Sequence, residues 1–359
     1  MSPIRLGFVG LSAQGMWAAS TLVPALLEER LSSKYNITAV STTNPTSANA
    51  SAQKYSKVVS EAYGKEATLK AYHGSTEHIT NDPNVDMVAL SIRTPGHVDA
   101  ALPVLKAKKD LFIEWPAGRH LAGTTEIAEA ARASGVRTLV GLQTRQSDYA
   151  SKSAGLHYAG IRGPKGVSFL QYVHQNSNGA SMVDIDGGHL IDTLQYIFGP
   201  IASVTAHLVN QYPTVQIYDS LDSGNPVGSP IPSDDIHQIV FGGQFANKDE
   251  TVLSVNLRNV PAKNSAGLFW IIDGEKGAIR IEADAEAGFT VIGAKPDVWL
   301  NGEKLDVEKD SYKQRVTRYF NSFADGKEGE YATIEDALKT KKVIDALFRS
   351  SREGKRIEM

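Results

Sequence analysis

The first residues with a chemical signature are Gly10-Leu11-Ser12-Ala13-Gln14-Gly15, directly after a short apolar run, Ile4–Val9. A dinucleotide fingerprint needs its first glycine for a tight turn, its second for close approach of the pyrophosphate and its third for helix packing. Here Ser12 takes the second position, so the match is partial. An NAD site ends its second strand in an acid that bonds the ribose hydroxyls. This chain offers Ser41, Thr42, Thr43 and Asn44 there instead, which favours NADP slightly and leaves NAD open, as does the plainer reading of an Asn-Pro turn. His and Asp residues lack the two-residue or i, i+4 spacing of a zinc site, so no metal is expected. The chain has no cysteine, so its chemistry has to come from His, Asp, Glu, Tyr, Arg or a cofactor.

The elements that position these residues follow from periodicity. Residues 18–31 read as a helix after the glycine turn, making strand, turn and helix the opening of a Rossmann unit. Further strands are expected at 36–40, 85–92, 111–113 and 136–142, separated by helices at 46–61, 97–108 and 124–134. From about residue 145 strand-like runs succeed one another at 167–173, 201–210, 238–245, 251–257, 268–273 and 278–282. A helix at 189–197 interrupts them and another at 333–350 closes the chain, while the Pro-, Ser-, Gly- and Asp-rich segment 212–235 reads as a long loop. The expected fold is α/β: an N-terminal Rossmann domain over 1–143, then a C-terminal α/β domain over 144–359 with a large, mostly antiparallel open sheet and a C-terminal helix.

Composition narrows the partners. The chain has 359 residues with 37 basic and 40 acidic side chains, a formal net charge of -3, which supplies no basic footprint for direct nucleic-acid binding. No stretch approaches about 18 apolar residues and no cleavable leader is evident, so neither membrane insertion nor export is expected. A cytoplasmic protein is expected, one that meets a small-molecule substrate and pairs through the open sheet as a homodimer or homotetramer.

Two more runs carry a resemblance. Residues 85–97 (VDMVALSIRTPGH) end a strand in Ser91, Arg93 and Thr94 before His97, and 111–116 (LFIEWP) end another in Glu114-Trp115-Pro116. With Arg145, the run 187–192 (GGHLID), the hairpin 274–277 (GEKG) and the ending 334–356, this pattern resembles the glucose-fructose oxidoreductase, inositol dehydrogenase and MocA family. In that family one strand ends in Thr-Pro-x-x-His, here one residue shorter, and a later strand ends in Glu-Lys-Pro. The resemblance covers nearly the whole chain. It implies that Gly10, Leu11, Ser12, Ala13, Thr42, Thr43, Ser91, Arg93, Thr94, His97, Glu114, Trp115 and Arg145 bind the cofactor.

The departures carry the functional question. Family dehydrogenases use the lysine of Glu-Lys-Pro, with an Asp four residues before a His, to manage the substrate proton. Trp115 stands at the lysine position and Ile185 lies four before His189, flanked by Asp184 and Asp186. Trp17, Glu114-Trp115, residues 142–149 (LQTRQSDY) and 188–196 (GHLIDTLQY) further resemble the branch of fungal galactose-pathway repressors, which implies dinucleotide binding with a protein partner. The resemblance implies an NAD(P)-dependent oxidoreductase of a small carbonyl or hydroxyl compound, sugars included. His189 would manage the proton with Asp186 or Tyr149, and Trp115 would stack near the nicotinamide. The alternatives are a catalytically silent dinucleotide-binding regulator that binds a transcription factor, and a non-redox enzyme that retains the cofactor.

Overall fold

The computed structural model describes residues 2–147, 164–220, 224–247, 251–258, 266–284 and 296–359. Two compact units result: Met1–Gly118, Ala122–Gln146 and Ser311–Leu338 make the first, and Arg119–Leu121, Ser147–Asp310 and Lys339–Met359 the second. In sequence the first unit runs to Gln146 and takes in Ser311–Leu338 as well.

In the first unit, β1 (Ile4–Val9), β2 (Tyr35–Thr42), β3 (Lys70–His73), β4 (Met87–Leu90), β5 (Asp110–Ile113) and β6 (Thr138–Val140) form a six-stranded sheet in the order β3-β2-β1-β4-β5-β6. Every strand pairing in it is parallel. All four residues of β4 are buried, as a strand covered on both faces must be. The order reverses direction between β1 and β4, the switch point at which open α/β sheets bind ligands.

The helices follow local signals. The expected helix at 18–31 is broken: a π-helical turn at Ala18–Leu22 runs into α1 (Val23–Leu26), Glu28 is extended, and α2 (Glu29–Ser32) is a separate turn. Pro24 brings no N–H to the ladder and its ring crowds the preceding turn, so the wider π geometry and the early stop have a common cause. In α3 (Pro45–Tyr63), Asn44 caps by accepting from the Ser47 N–H at 2.9 Å, and Gly64 closes the helix at φ 61°. Then come α4 (Glu77–Thr80), α5 (His97–Lys106) and α6 (Leu121–Ser134).

In the second unit, residues 167–173 were expected to be a strand, but β7 (Lys165–Val167) stops where its parallel partner runs out at Tyr218, and a 3-10 turn takes over at Ser168–His174. Extended backbone without a neighbour leaves its polar groups unpaired, and the tighter turn satisfies them internally. A π-helical turn at Val183–Gly187 leads into α7 (Gly188–Phe198), followed by β8 (Ile201–Val209). The segment 212–235 is likewise not all loop, since β9 (Thr214–Tyr218) and β10 (Ile231–Pro232) lie within it. Val215 and Ile217 are both buried, an alternation too short to stand out in that composition.

The rest is β11 (Gln238–Phe245), β12 (Val252–Arg258), β13 (Ala266–Gly274), β14 (Gly277–Asp284), β15 (Asp297–Leu300) and β16 (Glu303–Leu305), then α8 (Tyr312–Ala324), α9 (Ile334–Glu353) and β17 (Ile357–Glu358). The domain is mostly antiparallel as expected; its described strands form three ladders, β10-β9-β7, β12-β11-β8-β17 and β13-β14-β15-β16.

Helix α8 belongs to the first unit. Its Tyr319 and Phe320 rings lie 6.0 and 5.2 Å from Phe112 of β5, and the Phe320 carbonyl accepts from the Tyr35 hydroxyl at 2.7 Å. With Val316, Phe323 and Tyr331 they join the same core cluster as Leu6, Phe8 and Met87. A reciprocal capping box of Ser311 and Gln314 starts the helix.

Candidate dinucleotide site

Gly10 ends β1 with φ 96°, a left-handed conformation that a side chain resists. Its N–H donates to the Ser41 carbonyl of β2 at 2.9 Å, while a Cβ added there would lie 2.2 Å from the Ser91 carbonyl beyond β4. Only glycine fits between the two strand ends. The turn opens a cavity of about 1260 Å³, lined by Gly10, Ser12, Ala13, Thr42, Thr43 and Ser75 among others, all in the first unit. The donor set suits a dinucleotide with a 2'-phosphate: hydroxyls line the end of β2, and the lone carboxylate in the lining is Asp99, among the described residues.

The glycine loop is braced from α3. Ser51 Oγ accepts from the Ala13 N–H at 3.0 Å, Lys54 Nζ donates to the Ala13 carbonyl at 2.7 Å, and the Tyr55 hydroxyl donates to the Ser12 carbonyl at 2.9 Å. Ser47, Ser51, Lys54 and Tyr55 follow helical i, i+4, i+7, i+8 spacing, a signal present in the sequence and not used. The loop ends at Met16, 60 % exposed and held at φ 100°. A non-glycine residue there stores roughly 1–3 kcal/mol of strain.

The next residue holds the loop in that shape. The Trp17 indole N–H donates to Glu114 Oε1 at 2.7 Å, and its ring meets Tyr312 edge-on at 5.7 Å. Glu114 ends β5, and a Cβ on Gly141 would come within 2.3 Å of its Oε2, so the glycine after β6 makes room for the carboxyl. Burial pushes the Glu114 carboxyl up to about 8, against hydrogen bonds from Trp17 and the Trp115 backbone that favour the ionised form.

The remaining expected cofactor residues are dispersed around this frame. Leu11 is wholly buried in the core, which leaves only its backbone to face a ligand. Ser91 donates its N–H to the Val9 carbonyl at 2.9 Å, Arg93 precedes the 3-10 turn Thr94–Gly96 and its carbonyl accepts from the Gly96 N–H at 3.0 Å, and Thr94 is buried. His97 lies with Nδ1 2.9 Å from the Pro116 carbonyl and Nε2 3.0 Å from the Ile92 carbonyl, a brace between the two strand-end turns. Burial lowers its pKa, and a neutral ring donates to one of those carbonyls at a time. Trp115 is 7 % exposed, more buried than a stacking platform was expected to be. Arg145 is buried in the turn Gln143–Gln146, with Asp336 at 3.6 Å. Gln143, outside the expected set, is buried with Oε1 lacking a hydrogen-bond partner.

The expected proton-handling residues lie in the second unit. Asp186 falls in the π-helical turn and His189 in the first turn of α7, both buried. Their i, i+3 separation suits one helix face. Asp184 is committed elsewhere: it accepts from Ser181 Oγ at 2.6 Å and pairs with the buried Lys341. Tyr149 lies outside the described residues. Among the described residues no group of three or more His, Asp or Glu side chains is arranged to hold a metal ion, and no helix is long and apolar enough to cross a membrane.

Residues 4–142 match a family described as the oxidoreductase family with an NAD-binding Rossmann fold, and residues 152–283 match the Gal80p C-terminal domain. A dehydrogenase of Aspergillus oryzae, aclE, is 27% identical, covering 98% of this chain and 97% of that protein. The galactose/lactose metabolism regulatory protein GAL80 of Saccharomyces cerevisiae is 29% identical over 81% of this chain and 69% of its own. A solved super-repressor mutant of Gal80p from the same yeast has a TM-score of 0.85 at 24% identity, covering 99% of this chain and 98% of the other. Levoglucosan dehydrogenase in complex with NADH and L-sorbose gives 0.74 at 15% identity, covering 100% and 99%, a likeness of fold alone.

The buried Glu114 carboxyl makes stability depend on pH. It keeps its proton up to about 8 in the folded chain, whereas in the unfolded, solvated chain it releases it in the ordinary glutamate range. The folded state therefore binds more protons in that window, and the contribution present at low pH is lost as pH rises towards about 8. Glu114→Gln keeps an acceptor for Trp17 without the charge. Urea unfolding at about pH 5 and about pH 9 is expected to show the wild type losing on the order of a few kcal/mol relative to the variant. A wild-type-to-variant difference independent of pH would contradict the assignment.

Proposed function

The chain belongs to the glucose-fructose oxidoreductase, inositol dehydrogenase and MocA family of NAD(P)-binding Rossmann oxidoreductases, in its Gal80p-like branch, and from that premise we propose that it is an NADP(H)-dependent oxidoreductase of a small carbonyl or hydroxyl compound. The observation that carries the cofactor choice is the end of β2 in this cavity, where Thr42, Thr43, Asn44 and Ser75 stand and the one carboxylate of the described lining, Asp99, belongs to α5 instead. Bound there, the dinucleotide supplies hydride transfer. Gly10, Ser12 and Ala13 shape the turn that receives the pyrophosphate, while Thr42 and Thr43 receive the ribose end. His189 moves the proton at the substrate oxygen, supported by Asp186 from the preceding turn, because Asp184 is held by Lys341. The A. oryzae dehydrogenase, matched along nearly the whole chain, supports a redox role.

A second reading is a dinucleotide-binding regulator that binds a protein and turns nothing over. The buried Trp115, with no titratable group where relatives use a lysine, favours it, as does the similarity to GAL80. Either way we propose a homodimer or homotetramer paired through the face of β8, β11 and β12 that exposes Val209, Val240 and Val252.

Fluorescence titration is expected to give NADPH at least about tenfold tighter than NADH, with Thr43→Glu reversing the order. Turnover over a carbonyl and polyol panel is expected to fall about 10²–10⁴-fold in His189→Ala with NADPH affinity kept. Tight NADPH binding with no turnover in the wild type would select the regulator, and no binding of either dinucleotide would remove both readings. Light scattering at micromolar concentration is expected to give a dimer or tetramer, and a monomer would contradict the pairing.

A further inference from the structure

Most amide groups of the glycine turn are spent inside the protein. Gly10 donates to the Ser41 carbonyl at 2.9 Å, Ala13 to Ser51 Oγ at 3.0 Å, Gln14 to Ser12 Oγ at 3.1 Å and Gly15 to the Ser12 carbonyl at 3.2 Å. Among the described residues, only the Leu11 and Ser12 amides of the run Gly10–Gly15 have no acceptor. A Rossmann turn receives a pyrophosphate on backbone N–H groups, and the second glycine of the fingerprint lets that backbone come close. Here Ser12 stands at that position and its own hydroxyl takes one of the donors. The turn alone is therefore a poor anion site, and a pyrophosphate needs positive charge from outside it.

Helix α3 brings such a charge to the loop. Ser47 and Ala50 line the cavity, and Lys54 follows Ala50 by one turn on the same helix face. Its Nζ donates to the carbonyl of Ala13, itself a lining residue, at 2.7 Å. The ammonium also lies 5.5 Å from the centre of the Tyr55 ring, whose hydroxyl is fixed on the Ser12 carbonyl at 2.9 Å. Lys54 is thus held at the turn by two contacts while its side chain stays exposed. An ammonium has three donors, and among the described residues no carboxylate pairs with this one. Lys57, further along α3, is paired with Glu61 at 3.9 Å, and Asp99 brings the opposite sign to the lining.

We propose that Lys54 is the cation that binds the pyrophosphate of the dinucleotide, bonding a phosphoryl oxygen with the donors that Ala13 leaves free. This rests on the reading of the Gly10 turn as a dinucleotide site and names the residue that supplies its charge. NADP(H) and NAD(H) share the pyrophosphate, so the role holds for either. A bond between ammonium and phosphate is charge-assisted and stronger than a neutral one, and lysine meets the anion as a compact point charge. Anchoring on the Ala13 carbonyl restricts a long side chain before the ligand arrives, so less freedom is lost on binding. The loss of the second glycine at Ser12 and the presence of a lysine at position 54 are in this account two parts of one design.

The test is calorimetric titration of the full chain with NADPH and with NADH, at low and at high potassium chloride, for the wild type, Lys54→Gln and Lys54→Arg. Glutamine keeps a donor for the Ala13 carbonyl and loses the charge, whereas arginine keeps both. At low salt the better-bound dinucleotide is expected to weaken at least about tenfold in Lys54→Gln and less than about threefold in Lys54→Arg. The wild type is expected to lose affinity with added salt more steeply than Lys54→Gln, a difference that a mere brace of the loop would not produce. Lys54 is exposed, so urea unfolding is expected to find both variants folded. Unchanged affinity in Lys54→Gln, equal salt dependence in Lys54→Gln and the wild type, or an arginine variant as weak as the glutamine one would each overturn the proposal and leave the dinucleotide reading in place. A wild type that binds neither dinucleotide would overturn both.

Discussion

The first unit depends on how closely β1 approaches its neighbours at its C-terminal end. Gly10 donates to Ser41 of β2 while its α-carbon faces the Ser91 carbonyl at a separation no Cβ tolerates. Parallel neighbours need a crossover between them, so the chain leaves β1 through the Gly10 turn on its way to β2, and the cavity opens beside that turn. Everything that stabilises the strand order, including the buried β4 and the α8 aromatics on Phe112, also fixes the floor of that site.

A second layer holds what the glycine opens. From one side α3 supplies Ser51, Lys54 and Tyr55 to the loop backbone, and from the other Trp17 is tied to the buried Glu114. Between them Met16 holds a left-handed conformation that only a clamped loop sustains. His97 joins the turns after β4 and β5 through two carbonyls. Residues expected to touch cofactor, His97 among them, brace the turns around the cavity, and the family's lysine position is filled by a buried indole.

Much of this was legible in the sequence, for reasons that differ by element. Buried parallel strands are continuous apolar runs, so β1 was readable to the residue, and the absence of an acid after β2 was a fact of composition at four positions. Helix α8 was missed because its apolar residues are spread among Lys, Arg and Asn, although Ser311 and Gln314 announce its start. Its return to the first unit was not legible, because sequence separation says nothing about which core an amphipathic helix covers. The Asp184 ion pair with Lys341 spans a long stretch of chain, and only three-dimensional contact shows that Asp184 is committed to it. The buried state of Glu114 followed from Gly141, a glycine whose role depends on a neighbouring strand.

The central claim is that the Gly10 turn is the dinucleotide site, and the direct measurement is NADPH affinity by intrinsic tryptophan fluorescence for the wild type and for Gly10→Ala, with urea unfolding of both. A methyl group aimed at the Ser91 carbonyl is expected to weaken NADPH by at least about a hundredfold in chains that remain folded. Equal affinity in a folded Gly10→Ala protein would contradict the account.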